Sequence, residues 1–73
     1  MEIPTYITEV SQQMGYDYAI YLGEYKGEDV YSPMFNDPNT IGGRTCFIHV
    51  KGNSWRWSKN HDEAIKVMDY FGW

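Results

Sequence analysis

Cys46, His49 and His61 are the side chains in this sequence with the chemistry to ligate a transition metal, and Cys46 is its one candidate thiolate nucleophile. Their spacing serves neither use. A zinc centre draws about four ligands from patterns such as C-x-x-C or H-E-x-x-H, and the chain contains neither. The carboxylate pairs Glu28-Asp29 and Asp62-Glu63 could carry acid–base work. One falls at a turn and the other in the first turn of a helix, where charge already has a structural role. Phosphate loops of the G-x-G-x-x-G or G-x-x-x-x-G-K-[ST] type are absent, and Gly42-Gly43 precedes a strand pattern instead of opening a helix. A short domain also has little wall from which to build a water-excluding pocket. The expectation is a protein that is not an enzyme, with no metal and no cofactor.

The elements that would position these groups follow from periodicity. Residues 4–14 place Tyr6 or Ile7, Val10 and Met14 at helical spacing, with Pro4 suited to the first turn and Gly15 to the stop. Residues 16–25, dense in Tyr, Ile and Leu, read as a strand. Lys26-Gly27-Glu28-Asp29 reads as a hairpin, and a Gly27-Glu28 tip is preferred because it pairs Lys26 with Asp29, whereas a tip one residue earlier opposes Glu24 and Asp29. The return strand covers about 29–35, and Pro33, which cannot donate to a ladder, marks it as an edge or as irregular past that point. Asn36-Asp37-Pro38-Asn39 and Gly42-Gly43 predict a loop.

In the segment RTCFIHVKGNSWRWS, a two-residue Gly52-Asn53 turn sets Lys51 opposite Ser54, Val50 opposite Trp55 and Ile48 opposite Trp57. Cys46, Ile48, Val50, Trp55 and Trp57 then share an apolar face, and Phe47, His49 and Arg56 point the other way, toward solvent. Asn60 with Glu63 forms a capping box for a last helix whose stripe is Ala64, Ile65, Met68 and Phe71, stopped at Gly72. This helix is expected on the tryptophan face. The fold class is α+β: an antiparallel sheet of three to four strands in two hairpins, with the N-terminal and C-terminal helices packed on one face.

With 73 residues the chain reads as a single domain spanning 1–73, and one cysteine excludes an internal disulfide. Thirteen aromatics supply the apolar area that a staple would otherwise replace. No leader pattern and no long apolar window occur, which suggests a cytoplasmic protein off the membrane. The net charge of −4 divides into −6 over residues 1–37 and +2 over 38–73, a balance that disfavours general binding to nucleic-acid phosphates. What remains is a surface. Phe47, His49 and Arg56, joined by Tyr21, Tyr25 or Tyr31 from neighbouring strands, would make an aromatic–arginine patch of the composition found at interface hot spots. The leading expectation is a small regulatory or protein-interaction module that binds a protein partner through this exposed sheet face. Two alternatives are an acidic nucleic-acid-mimicking inhibitor, using Glu9, Asp17, Glu24, Glu28, Asp29 and Asp37, and a nucleic-acid-binding domain using Arg44, Lys51, Arg56 and Lys59.

Overall fold

The computed structural model describes residues 3–36 and 46–72. Six elements follow in order: α1 Thr5–Gln13, β1 Tyr18–Tyr25, β2 Glu28–Met34, β3 Ile48–Lys51, β4 Ser54–Trp57 and α2 His61–Phe71. The four strands form one antiparallel sheet in the order β1-β2-β3-β4, so the α+β class holds. The expected loop at 37–45 lies outside the described residues, as do Arg44 and Trp73.

The second hairpin has the predicted register: Lys51 opposes Ser54, Val50 opposes Trp55 and Ile48 opposes Trp57. The first does not. Its tip is Lys26-Gly27, with Tyr25 opposite Glu28 and Glu24 opposite Asp29. Both tip residues have positive φ, 52° at Lys26 and 80° at Gly27, as the favoured two-residue hairpin turn requires. That turn geometry outweighs the like-charge opposition, which is weak because both carboxylates are exposed. Asp29 also accepts a hydrogen bond from the Tyr21 hydroxyl at 3.0 Å.

A bulge lies between Tyr21, paired with Tyr31, and Gly23, paired with Val30. The extra residue, Leu22, reverses the alternation of faces, so Tyr21 and Tyr25 point to opposite sides although four residues apart. Gly23 sits at φ 143°, and a Cβ there would meet Phe71 Cε1 at 2.9 Å. Close approach of α2 therefore depends on the missing side chain.

β2 is an internal strand for residues 29–31, paired on both sides, and not the edge that Pro33 suggested. The β2–β3 ladder ends at Tyr31 and Ile48, so the proline lies beyond the bonds it would have broken.

Each helix covers one face, and the faces differ. α1 buries Ile7 and Val10 against Ala19, Tyr31, Ile48 and Val50. α2 buries Ala64 and Val67 against Val30 and Phe47, with Leu22, Tyr25, Met68 and Phe71 at the margin. Because Val30 and Tyr31 are adjacent in β2, and Phe47 directly precedes Ile48 at the start of β3, these clusters lie on opposite sides of the sheet. The expectation that the last helix packs on the tryptophan face is corrected: α2 takes the side of Phe47. Its buried stripe is Ala64 and Val67, while Ile65 is exposed. Met14 of the N-terminal segment is likewise exposed, and Ser11 is buried in its place, donating to the Ile7 carbonyl at 2.9 Å. Among the described residues no helix is long and apolar enough to cross a membrane.

Candidate functional site

The six residues expected on one exposed patch are divided by the sheet. Tyr21 and Tyr31 meet as tilted rings with centroids 5.2 Å apart on the α1 side, with Tyr31 buried. Phe47, His49, Arg56 and Tyr25 lie on the α2 side. Phe47 is 2% exposed and His49 1%, so neither belongs to a solvent-facing surface. Arg56 is partly buried, and Tyr25 packs edge-on against Tyr70 at 4.9 Å. The patch is therefore not assembled: the helix that should have stayed on the other face covers it.

What α2 covers is a polar cluster. Arg56, on β4, donates through Nη2 to Glu28 Oε1 at 2.7 Å and through Nη1 to Glu63 Oε1 at 2.7 Å, with a further bond from Nη2 to Glu63 Oε2 at 3.2 Å. One guanidinium thus ties β2, β4 and α2 together. Glu63 Oε1 also accepts from the Lys59 amide at 2.8 Å, and the Glu63 amide donates to Asn60 Oδ1 at 2.9 Å. The predicted cap by Asn60 is present, but the glutamate side chain turns to Arg56 and Lys59 instead of back to Asn60. Arg56 holds the Glu63 carboxyl at about 2, against an ordinary 4.5.

His49 lies beneath this clasp, its Nε2 2.9 Å from Ser58 Oγ. Its Nδ1 is buried with no hydrogen-bond partner, 3.6 Å from Glu28 Oε1. Serine, imidazole and carboxylate in that succession outline a nucleophile, base and orienting acid. Three features oppose that use. Ser58 Oγ already accepts the Phe47 amide at 3.3 Å, Glu28 is committed to Arg56, and burial followed by the Arg56 charge lowers the basicity of His49. The cluster works as a clasp between sheet and helix.

Its pH behaviour follows from the sign of that shift. Glu28 and Glu63 favour the charged imidazole, but burial and Arg56 outweigh them, so the folded state holds His49 below its ordinary 6.5. An unfolded chain binds the proton more readily. Stability from this residue is full above about pH 6.5 and is lost as pH falls below it. In His49→Gln, which keeps a polar group near Ser58, the slope of denaturation free energy between pH 7 and 5 is expected to flatten; an unchanged slope assigns it elsewhere.

Two other features frame the molecule. On the α2 side a cavity of about 270 Å³ is lined by Tyr25, Lys26, Lys59, Asn60, Asp62, Glu63 and Lys66. On the α1 side Trp55 is 42% exposed and meets Trp57 edge-to-face at 6.3 Å. α1 packs on β1 and β2, leaving the β4 tryptophans at the rim of its cluster. The register places Glu24, Asp29, Val50 and Trp55 in one row across the four strands on that side. The tryptophans were legible as a strand face in the sequence, but their exposure was not, because it depends on where α1 ends.

The acidic residues do not gather. Glu24 and Asp29 share the α1 side, Glu28 lies on the other against Arg56, and Asp17 accepts the Asn36 amide at 2.7 Å at the opposite end of β1. Asp37 lies outside the described residues. Of the basic set, Arg56 is spent on two glutamates. Among the described residues no His, Cys, Asp or Glu cluster could hold a metal ion. No protein-family model, curated protein or solved structure matches the chain.

Proposed function

We propose that this chain is a non-enzymatic protein-interaction module whose contact surface is the tryptophan side of β4, not the Phe47–Arg56 side. The observation that carries the reading is Trp55, a large aromatic 42% exposed on the strand that ends the sheet among the described residues, while α1 packs on β1 and β2. Tryptophan is among the residues enriched as interface anchors, and Trp55 shares its row across the sheet with Val50, Asp29 and Glu24, so an extended segment lying along that row would meet all of them. The neighbouring charge selects the partner. Glu24 and Asp29 stand opposite each other without a cationic partner among the described residues, and the Tyr21 hydroxyl holds one Asp29 oxygen in place. A segment carrying Arg or Lys would answer those carboxylates and set a cation against the Trp55 ring.

Panning a random peptide library on the immobilised domain tests this. Enrichment of extended sequences with Arg or Lys, lost with Trp55→Ala and weakened with Asp29→Asn, is the expected result. Enrichment that survives both variants, or none at all, removes the reading.

A further inference from the structure

Lys26, Lys59 and Lys66 come from three separate places: the β1–β2 turn, the link between β4 and α2, and the second turn of α2. They line the same cavity of about 270 Å³. They are half of the six basic residues in a chain of net charge −4. None of the three forms an ion pair among the described residues, where Arg56 is the cation that pairs with Glu28 and Glu63. All three side chains are exposed and solvated, and an anion seated among them would be attracted by all three at once.

The acids in the same wall do not cancel that attraction. Glu63 has both oxygens on Arg56, one of them shared with the Lys59 amide. Asp62 alone remains against three ammonium groups, so the surplus in the cavity is positive.

Size and shape narrow the ligand. A space of this volume is at the small end for ligand sites, and it suits one compact anionic group with a short organic portion. Lysine binds phosphate as a point charge, and a phosphate monoester carries about −1.5 to −2 near neutrality, which three lysines can match. Tyr25 contributes an aromatic wall whose own position is fixed by Tyr70 and Phe71 behind it. We propose that this cavity, framed by Lys26, Lys59 and Lys66 with Tyr25 as its side wall, is a binding site for a small phosphorylated molecule. It is independent of the tryptophan surface, on the other side of the sheet.

The test is a titration of the 15N-labelled chain, followed by amide shifts, with inorganic phosphate, ribose 5-phosphate, ribose, and sodium chloride at matched ionic strength. Saturable shifts at residues 25–26 and 59–66 are expected with the two phosphates and not with ribose or chloride. Tighter binding of the ester than of free phosphate assigns the organic portion to Tyr25; equal affinity assigns the free anion as the ligand, and either supports the site. Lys59→Gln and Lys66→Gln should each weaken the phosphates about tenfold with the melting midpoint unchanged, because both side chains are exposed. Lys51→Gln, outside the cavity, should leave binding intact. Shifts reproduced by chloride, an equal loss in Lys51→Gln, or no shifts at all would overturn the assignment.

Discussion

Replacing Phe47 with alanine is expected to cost about 3–5 kcal/mol of unfolding free energy, the usual range for truncating a buried phenylalanine. Phe47 is one of the largest fully enclosed side chains, packed with Val30, Ala64 and Val67 between sheet and α2. A domain of this length holds roughly 4–10 kcal/mol in total, so the variant should sit close to unfolded at ambient temperature. Had the phenylalanine faced solvent, as the hairpin register alone suggests, the change would fall within about 0.5 kcal/mol. Urea denaturation followed by tryptophan fluorescence separates the two outcomes. A loss below about 0.5 kcal/mol would return Phe47 to the surface and detach α2 from that face.

Arg56→Ala has the second largest expected effect, about 2–3 kcal/mol. Removing one member of an enclosed ion-pair network leaves the others uncompensated, which commonly costs about 3–5 kcal/mol. Here Arg56 retains 32% exposure and its partners 18% and 25%, so solvent screening trims the figure. Arg56→Lys should recover only part of it, because an ammonium cannot span Glu28 and Glu63 as the planar fork does. The loss also has a pH signature. Glu63 is held at about 2 in the folded state, so its contribution is present above its ordinary 4.5 and disappears as pH falls from there toward 2. In Arg56→Ala that acid limb should be shallower; an acid limb as steep as the wild type would place the source of acid sensitivity outside this clasp.

Local chemistry was readable from the residues, and long-range placement was not. The Gly52-Asn53 turn carries its own register, so the pairing of β3 with β4 follows from sequence, as do the Asn60 cap and the glycine stops after both helices. Leu22 is where legibility ends. Nothing in YAIYLGEY announces an inserted residue, yet that one step sends Tyr21 and Tyr25 to opposite sides and splits the expected patch. The face chosen by α2 was hidden for a related reason. Phe47 and His49 alternate with Ile48 and Val50, so the hairpin has two faces that want cover, and the polar members look like a solvent face until Glu28 and Glu63 arrive from distant elements to answer Arg56. The lysine cavity depends on the same convergence, since residue 26 meets residues 59–66 only after α2 has crossed the sheet.

The intervening sheet keeps the two helices from sharing any wall of their own. The residues under α1 and those under α2 thus form two separate buried clusters, and an opening that starts at one helix first exposes only the cluster beneath it. Departure of α2 would undo the guanidinium bond to Glu63 and disperse the three lysines, yet leave the indole side untouched. Loosening of α1 would widen the indole side without disturbing the buried histidine.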